Sequence, residues 1–84
     1  MTPVYEFLNN VEPVIGGEWA VTTRSYRVDG DPERYAPITV TFDRYEDAER
    51  IYKQALLLSG NSDVYLEHFI DDEWIPVASA LPRG

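Results

Sequence analysis

An alternating segment followed at once by a helical one limits the folds open to this chain. Residues 37–42 place Ile38, Val40 and Phe42 on one face of a strand, with Thr and Pro side chains on the other. Apolar residues then recur at spacings of three and four, which predicts an amphipathic helix over about 44–59. A strand and a helix that each have one apolar face pack together, so we expect a mixed fold.

The ends of this helix carry recognisable signals. Asp43 precedes Glu46 by three residues, which is the spacing of a capping box, and Asp47 and Glu49 add negative charge to the first turns. Gly60 follows the last periodic residue and predicts the C-terminal stop. The apolar face predicted for the helix comprises Tyr45, Ala48, Ile51, Tyr52, Ala55, Leu56, Leu58 and Ser59.

A second strand is predicted upstream of the first. Residues 18–28 are rich in β-branched and aromatic side chains. Residues 29–33, with the sequence Asp-Gly-Asp-Pro-Glu, separate them from the 37–42 strand and are typical of a hairpin loop. These two strands therefore form the first hairpin.

A second hairpin is predicted after the helix. Its strands are residues 63–70 and 73–78, and Asp71 and Asp72 form the tight turn between them. Pro76 lacks an N–H group, so the last strand is expected at an edge of the sheet.

The order of elements predicts an α+β fold: a four-stranded, mainly antiparallel sheet in ββαββ order with one helix packed on one face. We expect a single domain over 1–84, with an N-terminal arm or short helix at 1–17, a core at 18–80 and a frayed tail at 81–84. The sheet residues expected beneath the helix are Val21, Ile38, Val40, Phe42, Val64, Leu66, Ile70 and either Trp74 or Ile75.

The charge of the chain points to a partner of opposite sign. Fifteen acidic and seven basic residues give a net charge of -8, which disfavours direct contact with nucleic acid or anionic membranes and favours a basic protein surface. The acids fall into three groups: Asp29, Asp31 and Glu33; Asp43, Glu46, Asp47 and Glu49; Asp71, Asp72 and Glu73. Such groups could imitate nucleic-acid charge, or they could simply keep the surface solvated.

The sequence predicts neither an enzyme nor a cofactor. Cysteine is absent, and no serine lies in a Gly-x-Ser-x-Gly elbow. His68, the only histidine, could act as a general base with Glu67, Asp71 or Asp72, but a half-buried histidine on a sheet face is the plainer interpretation. The 29–33 segment departs from a calcium loop, so no metal site is expected.

Aromatic residues indicate a second candidate surface. Tyr65 and Phe69 alternate with Leu66 and Ile70, so one of these pairs must face away from the helix. Tyr and Trp concentrate at protein interfaces, and Tyr65, Phe69 and Trp74 could therefore bind a partner or a second copy of the chain. A homodimer is the alternative to a basic partner.

A cytoplasmic location is expected. The chain has no cysteine from which to build disulfides, and its N-terminus lacks the basic and apolar regions of a signal peptide.

The passage from strand to helix over residues 38–49 and the closing hairpin over 64–77 resemble small acidic accessory proteins of bacteriophages, including anti-CRISPR proteins. The resemblance implies a non-enzymatic inhibitor that binds a basic, nucleic-acid-handling host protein. The alternative is a structural or oligomeric adaptor that self-associates through the exposed sheet face.

Overall fold

The computed structural model describes residues 3–25, 37–59 and 62–80. Its elements are α1 (Pro3–Asn9), β1 (Trp19–Ser25), β2 (Ile38–Phe42), α2 (Tyr45–Leu57), β3 (Ser62–Ile70) and β4 (Glu73–Ala80). The four strands form one sheet, which confirms the α+β fold and the ββαββ order around α2.

The strands lie in the order β2-β1-β3-β4, and every neighbouring pair is antiparallel. β1 is central: Val21 lies between Val40 of β2 and Leu66 of β3. The link from β2 to β3 is α2, which crosses one face of the sheet. The two hairpins are therefore held together by the pairing of β1 with β3.

The core lies between this face and the helices. Val21, Val40, Phe42, Val64 and Leu66 are buried as predicted from their alternation. The helical residues buried in the same cluster are Ala48, Ile51, Tyr52 and Ala55 of α2 and Val4, Tyr5 and Leu8 of α1. Of the two alternatives for the N-terminus, the structure has a short helix, and it lies against β2 and α2.

The segment after α1 covers part of the outer edge of β2. The Val14 amide donates to the Thr41 carbonyl at 2.8 Å, and the Thr41 hydroxyl donates to the Val14 carbonyl at 2.7 Å. The chain then passes the end of β2 so closely that a Cβ on Gly17 would lie 2.2 Å from the Phe42 carbonyl oxygen. Only glycine fits there.

The predicted cap of α2 is wrong. The N-cap is Arg44, with extended backbone (φ -129°, ψ 137°), and its side chain makes no capping hydrogen bond. The chain uses both Asp43 and Arg44 to turn from β2 into the helix, so Asp43 lies one residue too early to cap it. The helix ends at Leu57, before the predicted 59, and Gly60 lies outside the described residues.

Two predicted core positions are also wrong, namely Ile70 and the position assigned to either Trp74 or Ile75. Ile70, Trp74 and Ile75 are each 39% exposed. α2 starts beside Trp19, with its Tyr45 ring 4.9 Å from the Trp19 ring, and runs towards the opposite end of the sheet. Neither α1 nor α2 therefore covers Ile70 and Ile75 near the turn of the β3–β4 hairpin, and Trp74 lies on the opposite face of the sheet.

β4 lies at the edge of the sheet, as Pro76 predicted. The pairing shifts register between Leu66 and Glu67, because Leu66 pairs with Ala78 and Glu67 with Pro76. Val77 is the extra residue of this bulge.

Candidate functional site

The acidic turn of the second hairpin has left-handed backbone at both central residues. Asp71 has a φ of 51° and Asp72 a φ of 63°, values that match a two-residue type I′ turn. Aspartate tolerates this conformation better than most residues, which explains how the turn forms without glycine. We call Asp71, Asp72 and Glu73 the acidic tip. All three are exposed, and within the described ranges none of them forms a salt bridge.

The acidic tip projects beyond the rest of the sheet. β1 begins at Trp19, which pairs with His68 of β3. Just beyond this pair, the Phe69 amide of β3 donates a hydrogen bond to the Glu18 carbonyl at 2.7 Å. Two further residues on each strand extend the hairpin by roughly 7 Å. The turn and its flanking side chains are therefore open to solvent on both faces.

Large apolar side chains surround the base of the acidic tip. Phe69 and Trp74 pair across the strands on the face away from α2, with their rings 5.1 Å apart. Ile70 and Ile75 lie on the opposite face, and Val77 of the bulge is 50% exposed. We call these five residues the apolar collar. An exposed apolar group bordered by charge is typical of a docking surface.

The acids of α2 have a different environment. Each lies within 4 Å of a basic side chain: Glu46 with Arg44 at 3.9 Å, Asp47 with Arg50 at 3.8 Å and Glu49 with Lys53 at 3.8 Å. Glu49 also accepts a hydrogen bond from the Tyr45 hydroxyl. The pKa of Tyr45 is raised, and this hydrogen bond is the largest cause. Burial and the negative charges of Glu49 and Glu46 raise the pKa further. The negative charges of the helix acids are therefore largely balanced by basic side chains near them.

The remaining predicted acidic group, Asp29, Asp31 and Glu33, lies outside the described residues.

His68 is a member of an aromatic stack on the helix side of the sheet. Its ring lies parallel to Trp19 with the centroids 3.8 Å apart, and Tyr45 meets Trp19 edge-on. Among the described residues, the carboxylate within 4 Å of the ring is that of Glu18, with 3.8 Å between Nε2 and Oε2. It is not Glu67, Asp71 or Asp72, the partners considered from the sequence. Glu67 points to the other face. In the part of the chain that the structure describes, no three potential metal ligands lie together.

The face away from α2, here called the open face, carries a polar network and a shallow groove. The groove has a volume of about 350 Å³ and is lined by Thr22, Arg24, Pro37, Tyr65, Glu67 and Pro76. Thr22 donates to Glu67 at 2.7 Å and contacts the Thr39 hydroxyl at 3.0 Å. The predicted surface residues Tyr65, Phe69 and Trp74 all lie on this face.

Asp63 anchors one end of the open face. Its side chain is fully buried, and its Oδ2 accepts from Arg24 Nε at 3.3 Å and from the Tyr65 hydroxyl at 2.9 Å. Arg24 also donates to the Tyr65 hydroxyl at 3.0 Å, and these contacts with Tyr65 and Asp63 raise the pKa of Arg24. Oδ1 of Asp63 is buried, and none of the groups that the structure describes donates a hydrogen bond to it. Sequence reasoning missed this group, because only the register of β1 on β3 brings its members together.

Comparison with protein-family models, with curated proteins and with solved structures gave no match to this chain. Among the described residues, neither helix has the length and apolar character needed to cross a membrane.

Proposed function

We propose that this protein is a non-enzymatic interaction module that binds a basic protein surface through the acidic tip and the apolar collar. The observation that carries the proposal is their juxtaposition at a projecting hairpin end. Carboxylates without basic neighbours select a partner of opposite charge and speed its association, while apolar side chains supply the area that a stable contact must bury.

The geometry favours the hairpin over α2 as the binding element. Glu46, Asp47 and Glu49 already lie near basic side chains of their own helix, so a partner gains little new attraction there. Asp71, Asp72 and Glu73 have no such neighbours among the described residues. The proposed contact is therefore a compact charged and apolar tip rather than an extended row that imitates a nucleic-acid backbone.

The proposed partner is a basic protein that handles nucleic acid, and the proposed effect is to block its binding surface in the cytoplasm. The charge of -8 supports this choice of partner. An origin among bacteriophage inhibitors, including those that act on CRISPR systems, stays a prediction from the resemblance in sequence character.

The test compares two variants of equal charge. Asp71→Asn, Asp72→Asn and Glu73→Gln together neutralise the acidic tip, and asparagine keeps the left-handed turn accessible. Glu46→Gln, Asp47→Asn and Glu49→Gln remove the same charge from α2. The wild-type domain is immobilised, a bacterial lysate is passed over it, and the retained protein is identified and purified for affinity measurements.

We expect the tip variant to weaken binding of that protein at least about tenfold and to flatten its dependence on salt. The α2 variant should retain most of the affinity. Equal losses in the two variants would show that only net charge matters, and unchanged binding by the tip variant would contradict the proposal.

Self-association through the open face is the second candidate function. It is favoured by one observation: Tyr65, Phe69 and Trp74 share that face, with Phe69 and Trp74 each 39% exposed. Sedimentation equilibrium over a wide concentration range tests it. A dimer that Phe69→Ser dissociates would support this function, and a monomer at every concentration would rule it out.

A further inference from the structure

We propose that the open face holds a receptor site for one basic side chain of the partner, with Glu67 as its anion. This inference rests on the proposed function in that the partner is basic, but it concerns a site apart from the acidic tip. The inference depends on the surroundings of the Glu67 carboxylate.

A hydrogen bond holds Glu67 in place, and within the described ranges no basic side chain forms a salt bridge with it. Its Oε1 accepts the Thr22 hydroxyl at 2.7 Å, which fixes the side chain over β1. Oε2 has no hydrogen-bond donor among the described residues, and the salt bridges within them do not include Glu67. Glu67 is also half-buried, so its charge is less screened than that of a fully exposed carboxylate.

Apolar and aromatic side chains surround this carboxylate. Tyr65 and Phe69 lie two residues away on either side along β3, and Pro76 is its partner across the strands. The Phe69 and Trp74 rings meet at an interplanar angle of 50°. A lysine or arginine side chain suits such a site, because its methylene stem packs on apolar surface while its charged head contacts the carboxylate and an aromatic ring.

Arg24 does not compete for this role. It also lines the groove, but its guanidinium donates to Asp63 and Tyr65 and lies 5.5 Å from the centre of the Tyr65 ring. One side of Tyr65 is therefore already in contact with a cation. A second cation would be repelled towards Phe69 and Trp74, on the other side of Glu67.

The test uses small cations and needs no identified partner. N-acetyl-arginine amide and N-acetyl-lysine amide are titrated into the ¹⁵N-labelled full chain, with N-acetyl-citrulline amide as the uncharged analogue of arginine. Amide shifts and the Trp74 indole shift are followed. Glu67→Gln removes the proposed anion while keeping an oxygen for Thr22, and Glu6→Gln removes the same charge from an exposed position of α1.

We expect shifts at Thr22, Glu67, Phe69 and Trp74 with both cations and much smaller shifts with the citrulline compound. Glu67→Gln should weaken the binding of the cations about tenfold or more, whereas Glu6→Gln should change it less than about twofold. Equal losses of cation affinity in the two variants would overturn the proposed site. Shifts spread over the whole acidic surface would overturn it too, as would cations that bind no more tightly than the citrulline compound.

The two proposals fail separately. Cation binding at Glu67 together with a tip variant that binds the partner normally would retain the site and overturn the role of the acidic tip. If the tip variant no longer binds the partner and the wild-type protein binds no small cation, the role of the acidic tip is retained and the site at Glu67 is overturned.

Discussion

Asp63 and Glu67 show how two acids on one strand come to have different roles. Both lie on the open face of β3, but Asp63 is buried beneath Arg24 and Tyr65, whereas the hydrogen bond that Glu67 accepts from a described residue comes from a neutral hydroxyl. Nothing in the local sequence separates them. The difference comes from β1, which places an arginine opposite Asp63 and an alanine opposite Glu67, and this register depends on contacts distant in sequence.

Tyr45 provides a prediction about pH. Its raised pKa means that the folded state holds the phenolic proton longer than the unfolded chain does. The associated stability is complete below the ordinary pKa of 10.0 and is lost as the pH rises above it. Because the hydrogen bond to Glu49 is the main cause, Glu49→Gln should make Tyr45 ionise at lower pH, as measured by phenolate absorbance.

Tyr45→Phe shows which part of the phenolate titration belongs to Tyr45, because this variant should lack the transition that Glu49→Gln shifts to lower pH. Tyr52, whose pKa is raised by burial, should be unaffected by either change. A phenolate titration that is identical in wild type and Glu49→Gln would contradict the prediction.

At the scale of elements, the sequence predicts which helices and strands are present better than it predicts where they begin and end. The 37–42 alternation and the helical period identify β2 and α2, and Asp71 and Asp72 identify the turn of the second hairpin. The helix start was misplaced because the capping pattern at Asp43 says nothing about how many residues are needed to turn from strand to helix. By contrast, the i,i+3 and i,i+4 spacings of the α2 acids and bases could have revealed their pairing.

The uncapped start of α2 leads to a stability prediction. Arg44 has the extended backbone of an N-cap but cannot accept a hydrogen bond from the helix amides. Serine can, so Arg44→Ser should have a free energy of unfolding about 1 kcal/mol higher than Arg44→Ala. Urea denaturation of the two variants measures the difference.

The alanine variant is the control, because both substitutions remove the same charge and the same contact with Glu46. If Asp43 were the true cap, serine and alanine at position 44 would be equally stable and Asp43→Ala would be the destabilising change.

At the scale of the whole molecule, the fold class followed from the order of elements but the strand order did not. The same two hairpins could meet through other strands, and only tertiary packing makes β1 and β3 neighbours. The part played by α1 was also beyond the sequence, because seven residues with a proline at the start are too few to show a helical period. Val4, Tyr5 and Leu8 nevertheless belong to the core.

We therefore expect α1 to be required for stability. Leu8 is 1% exposed, and Leu8→Ala should lower the free energy of unfolding by about 2–5 kcal/mol through lost contacts and a cavity. Leu57 of α2 is 86% exposed, so Leu57→Ala should change it by less than about 0.5 kcal/mol. Chemical denaturation of both variants tests this, and a small effect of Leu8→Ala would show that α1 is dispensable.

The two edges of the sheet have a consequence for behaviour at high concentration. β2 has only five residues and is bonded at Thr41 to Val14, and β4 is interrupted by Pro76 and the bulge at Val77. Neither edge offers a long, regular row of backbone groups to a strand from another molecule. Despite its exposed aromatic side chains, the folded protein should resist growth into β-filaments, and its assemblies should be finite.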